Sequence, residues 1–287
     1  MKKGFTLAEL IIVCFIIVII FILITPTFIK KSNKFEFRML GSASSVAGPN
    51  TILNTIVADA LSQFADELEK ADDVMSAVDD IIRKTIKKHK RIIFNGNNYS
   101  EEWVEEAKNR GLLNLKSTPE AIPYLIDKKN IELFTKHNVY NEAELEARCE
   151  ILLEIYGKTI RIEALTLIDM IKKDILSAVS AYTESLSNSA LSKKSFVKSI
   201  NTTFEETLVV KLSNLNNDLY NATQKIESAV YGASQFDGNV IAQANYYHDN
   251  VLAAMEEARK IIDELEEHTS REFWPYPTYT DLLFSVN

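Results

Sequence analysis

The sequence has few of the residues that interrupt helices or cross-link chains. Among its 287 residues are 8 glycines, 6 prolines and 2 cysteines. So few turn-forming residues favour long helices over a β fold with many turns. Cys14 and Cys149 form no CxxC pair, which excludes a disulfide framework and a cysteine-based zinc site.

Several familiar chemical motifs are also missing. The chain has no G-x-x-x-x-G-K-S/T, G-x-G-x-x-G or G-x-S-x-G sequence, which argues against the usual phosphate-binding loops and the serine-hydrolase elbow. The few histidines are scattered without ligand spacing, so a histidine-based metal site is not expected. They are His89, His137, His248 and His268.

Charge divides the chain into two unlike parts. The whole chain has 32 basic and 40 acidic side chains. Residues 1–31 carry four lysines against Glu9 alone, a balance of +3, and the other 256 residues carry 28 basic and 39 acidic groups, a net charge of −11. An acidic body argues against a protein that binds along nucleic-acid phosphates, and it also argues against a protein that binds a membrane surface.

The amino-terminal part contains the one long hydrophobic run. Residues 10–24 are all apolar, and residues 5–24 together have about the length that a membrane-spanning helix needs. Lysines flank both ends, so charge predicts no orientation. A secretory signal peptide is the alternative, but the small-residue cleavage pattern is absent.

The first ten residues, MKKGFTLAEL, resemble the leader of type IV prepilins and pseudopilins. That resemblance implies cleavage between Gly4 and Phe5 and gives Glu9 the role of an in-membrane carboxylate. A lone acid at membrane depth is costly and normally has a partner, which in that family is the amino terminus of a neighbouring subunit.

The body is predicted to be mainly α-helical. Residues 34–40 alternate polar and apolar side chains and predict a short strand, with Glu36 and Arg38 on one face. Residues 41–50 predict a loop, with Asn50 or Thr51 capping the helix that follows. Apolar stripes then predict a helix near 73–90, three shorter helices, and three long helices that form an antiparallel bundle. The remaining predicted helices cover 52–68, 100–110, 119–127, 129–136, about 142–187, about 204–230 and about 241–265.

The carboxy-terminal residues 269–287 predict an extended aromatic tail. Pro275 and Pro277 disfavour helical backbone at Trp274 and Tyr276, which precede them. Such a tail either docks on its own domain, which is the expectation here, or contacts another subunit.

Five segments of the body resemble type III glutamine synthetases, and the resemblance runs from residue 33 to the end. The segments are 33–42 (NKFEFRMLGS), 47–58, 160–166 (IRIEALT), 246–249 (YYHD) and 272–286 (EFWPYPTYTDLLFSV). The resemblance implies a partial glutamate–ammonia ligase, in which ATP phosphorylates glutamate and ammonia displaces the phosphate. It also implies a homo-oligomer, with glutamate and ammonia as substrates.

Two residues match functional positions of that family. By resemblance, Glu36 corresponds to a carboxylate that binds one magnesium or manganese ion, and Arg38 to an arginine that contacts phosphate or substrate carboxylate. Carboxylate oxygens suit hard divalent cations, and a planar guanidinium suits phosphate. The family's other metal, nucleotide and ammonia ligands precede the segment that begins at residue 33, so the chain alone is expected to be inactive.

The expected organisation has three parts. Residues 1–30 form a prepilin-like leader and membrane helix, 33–90 the end of a catalytic domain, and 91–287 a helical carboxy-terminal region. The ligase part is expected in the cytoplasm, and a genuine amino-terminal helix would make the chain a single-pass membrane protein. The join near residues 28–33 is either a real fusion or an artefact of the coding sequence, and the artefact is favoured. The alternative function is that of a membrane-anchored, pilin-like structural protein.

Overall fold

The computed structural model describes residues 45–97, 99–277 and 279–283. The apolar run, the predicted strand 34–40 and the candidate residues Gly4, Phe5, Glu9, Glu36 and Arg38 lie outside these residues. The chain divides after Asn54 into two units, and all the packing described below lies within the second, Thr55–Asn287. Every regular element in the described ranges is helical, which confirms the predicted helical class for that part of the chain.

Helix α1 spans Ala47–Leu68 and begins earlier than predicted. The predicted loop 41–50 is therefore wrong at its end, since residues 47–50 are helical. The Ser45 hydroxyl accepts a bond from the Ala47 amide at 3.2 Å. Pro49 is tolerated there because the amides of a first turn have no helical partner.

Helix α2, Val74–His89, ends in the predicted basic cluster. The Asp73 carboxylate caps its first turn by accepting from the Met75 amide at 3.1 Å. Lys87 and Lys88 stand in the last turn, where positive charge complements the helix dipole.

Short helices connect α2 to the bundle, close to where the sequence predicts them. They are α3 (Glu101–Asn109), α4 (Thr118–Ala121), which continues as a 3-10 turn through Ile122–Ile126, and α5 (Lys128–Lys136).

The first long helix runs without a break from residue 142 to 196. It consists of α6 (Glu142–Met170), a π-helical turn (Ile171–Ile175) and α7 (Leu176–Phe196). A capping box starts it. The Asn141 backbone amide donates to the Glu144 side chain, and the Glu144 backbone amide donates to the Asn141 side chain, both at 2.9 Å. The predicted end near 187 is nine residues short, because no glycine or proline lies between residues 187 and 197 to end the helix there.

Two further long helices complete the bundle. They are α8 (Thr203–Gly232) and a helix formed by α9 (Val240–Tyr246), a second π-helical turn (Tyr247–Leu252) and α10 (Ala253–His268).

Pairs between α8 and its neighbours show that the three long helices are antiparallel. Lys193 contacts Glu205 while Lys172 contacts Glu227, so α8 runs against the first long helix. Further pairs join α8 to α10 in the same opposed sense: Lys211 with Glu264, and Lys225 with Glu257. The predicted antiparallel arrangement is therefore present within Thr55–Asn287.

The core lies along the seam of these three helices. Its fully buried side chains include Ile171, Val179, Leu212, Leu219, Ile226, Val251 and Leu265. The apolar stripes read from the sequence face this seam, as an amphipathic helix requires.

The carboxy-terminal tail docks on this core, as expected. Trp274 is buried in the core cluster, and the Phe273 ring lies 5.2 Å from that of Tyr182. The Tyr276 hydroxyl donates to Asp174 at 2.6 Å. The prediction that the whole tail is extended is wrong, however, at Tyr279–Leu283, which forms a short helix, α11.

No helix among the described residues is both long and apolar enough to cross a membrane.

Candidate functional site

Two sequence segments that are far apart in the chain meet on one side of the bundle. Segment 160–166 lies in α6, and segment 246–249 lies where α9 passes into the second π-helical turn. Arg161 and Leu165 of the first segment line one cleft with Tyr247 of the second. Gly157, three residues before the first segment, lies against Tyr247, because a β-carbon there would be 3.1 Å from the tyrosine Cδ2. The glycine therefore lets the Tyr247 ring pack directly on the α6 backbone.

A cleft of about 650 Å³ opens beside this contact. Its walls come from α6, the end of α8, the turn after α8, and α9. The cleft is lined by Lys158, Arg161, Leu165, Ile168, Glu227, Val230, Tyr231, Ser234, Asp237, Gln243 and Tyr247. This set, called the Arg161–Tyr247 cleft below, has two cations, two anions and an apolar floor.

The polar groups of the cleft are only partly satisfied by one another. Gln243 donates to the Asp237 carboxylate at 2.9 Å and to the Ala233 carbonyl at 3.3 Å, which holds the turn against α9. Burial raises the pKa of Tyr247, the positive charge of Arg161 opposes that shift, and the negative charge of Asp237 adds to it. The phenol is therefore neutral at physiological pH and able to donate a hydrogen bond.

The π-helical turn gives the same segment a second face. Tyr246 packs against the end of α8, where a β-carbon on Gly232 would collide with the tyrosine oxygen, and its ring is 5.0 Å from that of Phe236. Short π-helical turns occur often at functional sites, because the extra residue redirects neighbouring side chains. Here Tyr246 and Tyr247 face different clefts.

The second cleft, about 570 Å³, is a shallow groove between α8 and the last long helix. Of its three charged residues, Lys225 and Glu257 pair at 2.9 Å, and Asp249 pairs with His248 at 2.8 Å. The charged side chains of this groove are therefore paired, whereas Arg161 of the other cleft has no partner among the described residues.

The described residues offer no metal centre. Nowhere in the described ranges do three histidine, cysteine, aspartate or glutamate side chains converge to hold an ion. His248 pairs with Asp249 at 2.8 Å, but only as an exposed neighbour. The magnesium or manganese implied by the resemblance thus has no ligand set there, and Glu36 and Arg38 lie outside the described residues.

Cys149 is not placed for chemistry. It is buried, burial raises the pKa of its thiol, and its sulfur lies 3.8 Å from the Ile122 carbonyl oxygen. A thiol kept protonated in this way is a poor nucleophile.

The sequence marks the two converging segments only by resemblance and indicates no role for any residue in them. The structure places Arg161 and Tyr247 in one cleft and adds Asp237 and Gln243, which no motif marked. The one available signal was that segments 160–166 and 246–249 both resemble the same family.

Comparison with known proteins gives matches across this region. Residues 77–194 match the family model described as the glutamine synthetase C-terminal domain. The chain is 38% identical over 270 residues to the type-3 glutamine synthetase of Dictyostelium discoideum, which covers 91% of this chain and 36% of that protein.

Two bacterial proteins show similar matches. The chain is 37% identical to the glutamine synthetase of Butyrivibrio fibrisolvens and 29% identical to that of Bacteroides fragilis (strain YCH46), each over 91% of this chain and 37% of the relative. The chain therefore spans about a third of the length of these relatives. Nothing in these matches supports the prepilin resemblance of residues 1–30.

Over nine-tenths of its length, the chain is thus similar in sequence to glutamine synthetases, and residues 77–194 match the model of their C-terminal domain.

Proposed function

We propose that this chain serves as part of a type-3 glutamine synthetase, which joins ammonia to glutamate at the expense of ATP. The observation that carries the proposal is the identity of 37–38% to two glutamine synthetases over 91% of the chain. The structure adds support, because two of the family-like segments meet in one cleft and a third, the aromatic tail, packs on the same bundle.

The proposed organisation follows the resemblance. Residues 33–90 continue the catalytic domain and residues 91–287 form its helical carboxy-terminal region. In this arrangement Glu36 is a ligand of a divalent cation, and Arg38 contacts the phosphate or the substrate carboxylate. The working form is a homo-oligomer in the cytoplasm, where glutamate and ATP are available.

The chain alone is proposed to lack ligase activity. Phosphoryl transfer needs several ligands around the metal and the phosphates. One glutamate and one arginine are too few, and the described residues add no metal-binding cluster. The remaining ligands must come from polypeptide outside these 287 residues.

A chimera tests this function directly. Residues 33–287 replace the matching segment of the Butyrivibrio fibrisolvens relative, and glutamine formation from ATP, glutamate and ammonia is measured. We expect the chimera to form glutamine and the 287-residue chain alone to form none. In the chimera, Glu36→Ala and Arg38→Ala should each lower kcat by roughly 100-fold or more, as removal of a group that stabilises transition-state charge does.

Lys128→Gln is the matched control, because the Lys128 side chain is 91% exposed. It should leave the rate unchanged. A folded chimera without activity would contradict the proposed function, and turnover by the chain alone would contradict the proposed dependence on other polypeptide.

The apolar run at residues 10–24 favours one alternative, a membrane-anchored structural protein with a pilin-like leader. Sequencing the genomic DNA upstream of codon 1 and across codons 25–35 separates the two. A neighbouring reading frame that encodes the rest of a glutamine synthetase supports the ligase, whereas an uninterrupted gene whose transcript starts at Met1 supports the anchored protein.

A further inference from the structure

Tyr247 lines the Arg161–Tyr247 cleft with a hydroxyl that bonds to no described residue. Tyr247 is only 5% exposed, and Gly157 holds its ring against α6. No described residue forms a hydrogen bond with its hydroxyl, although the side chain lines the cleft. A tyrosine hydroxyl can donate one hydrogen bond, so this one is able to donate to a ligand in the cleft.

The cation on the α6 wall is also available. Arg161 forms no hydrogen bond or ion pair with any described residue, whereas neighbouring Lys158 pairs with Glu154 at 2.6 Å. Arginine presents a planar set of donors that matches a carboxylate in a two-point contact. Arg161 is therefore the group on this wall that is free to bind an anion.

The opposite wall offers an available anion. Glu227 is occupied by Lys172 at 2.5 Å and by Gln224 at 3.1 Å. Asp237 accepts one bond, from Gln243 at 2.9 Å, and its second oxygen has no partner among the described residues. The cleft thus presents one free cation and one free anion on different elements.

The floor between these charges is apolar. Leu165 and Ile168 of α6 and Val230 of α8 line it. A volume of about 650 Å³ lies within the usual range for small-molecule sites and leaves room for a side chain above this floor.

We propose that the Arg161–Tyr247 cleft binds a free α-amino acid with an apolar or aromatic side chain. The carboxylate of the ligand pairs with Arg161 and accepts a hydrogen bond from the Tyr247 hydroxyl. Its ammonium group pairs with Asp237, and its side chain lies over Leu165, Ile168 and Val230.

Charge balance selects this class of ligand. A simple anion such as phosphate would face Asp237 unpaired, and a simple cation would face Arg161 unpaired. A zwitterion can pair with both walls, whereas repulsion between like charges disfavours the other ligands. This site goes beyond the proposed ligase function and does not depend on it, so either result here leaves the chimera experiment unaffected.

Calorimetric titration of the full 287-residue chain, kept in a mild detergent, tests the site. The probes are L-phenylalanine and L-leucine, with N-acetyl-L-phenylalanine and L-phenylalaninamide as ligands that lack one charge. We expect saturable binding at one site per chain, weakened roughly tenfold or more when either end is blocked, as the loss of a hydrogen bond to a charged group predicts.

Variants locate the binding in this cleft. Arg161→Gln should weaken L-phenylalanine about tenfold and remove the preference for the free acid over the amide, while Asp237→Asn should remove the preference for the free amine over the N-acetyl form. Tyr247→Phe should weaken binding and leave the fold intact, as circular dichroism checks. Lys128→Gln should bind like the unmodified chain.

The proposal fails if neither amino acid binds saturably, or if blocked and free ligands bind alike. It also fails if Arg161→Gln and Asp237→Asn bind as the unmodified chain does. Both of those side chains are exposed, so the test stands even if Tyr247→Phe does not fold.

Discussion

Asp59 joins helix α1 to the end of helix α5 and the residue that follows it. One carboxylate oxygen lies 2.7 Å from Nζ of Lys136 and 2.9 Å from Nε2 of His137, and the other accepts from Gln63 at 2.6 Å. These hydrogen bonds lower the pKa of Asp59 from 3.8 to about 2, and the bond from Lys136 has the largest effect. The native state therefore prefers the ionised carboxylate, and protonation of Asp59 should weaken the fold.

The magnitude follows from the size of the shift. A shift of nearly two pH units corresponds to at most about 2.5 kcal/mol at 1.36 kcal/mol per unit. The Lys136 side chain is 53% exposed, so solvent screening reduces this to about 1–2 kcal/mol. Because the folded pKa is depressed, this stability is fully present above about pH 5 and is lost as pH falls from about 4 towards 2.

Thermal unfolding of the 287-residue chain and of Asp59→Asn, followed by circular dichroism from about pH 7 to pH 2, measures this contribution. At neutral pH the variant should melt about 2–8 °C lower, and the gap should close as pH falls towards 2. Asp66→Asn is the matched control, since Asp66 is exposed on the same helix and pairs with no described residue. The reasoning would be refuted if the two melting temperatures were equal at neutral pH. It would also be refuted if their difference stayed constant down to about pH 2.

Three further predictions concern packing around the bundle. Gly157→Leu should destabilise the chain by about 1–3 kcal/mol, measured by urea unfolding, because its side chain collides with the Tyr247 ring; an unchanged midpoint would contradict the contact. Burial and the Asp174 carboxylate raise the pKa of Tyr276 to about 12. Tyr276→Phe should therefore remove the one phenol that titrates late when ultraviolet absorbance is followed against pH. The stability that Tyr276 contributes is present below about pH 10 and is lost as pH rises towards 12. Trp274→Ala should cost about 3–5 kcal/mol in urea unfolding, since the indole is buried in the core; a loss below about 1 kcal/mol would show that the tail does not dock.

Helix positions were largely predictable because helix formation depends on neighbours in sequence. The Asn141–Glu144 capping box marks the start of α6 before any packing is known. Errors arose at ends without a strong local signal. Helix α1 starts at Ala47 despite Gly48 and Pro49 in its first turn, and α7 continues to Phe196 through a segment that mixes serines with strong helix formers.

The cleft could not be predicted in the same way. Arg161 and Tyr247 are distant in sequence, and their approach depends on Gly157, which in a helix looks like a mere weak point. Asp237 lies in a turn after α8, where local pattern assigns it only a turn-forming role. Residue type alone could not show which exposed charges would lack partners, because pairing depends on neighbours brought in by the fold.

By itself the sequence determined that the body is helical, that three long stripes face a common seam, and that the body resembles glutamine synthetases. These features reside in local periodicity and in residue identity, which need no tertiary contact. The tertiary structure decided which segments meet, where π-helical turns separate Tyr246 from Tyr247, and which charges remain free in the Arg161–Tyr247 cleft. Such features result from close packing of side chains between distant helices, where a single β-carbon determines whether two surfaces can touch.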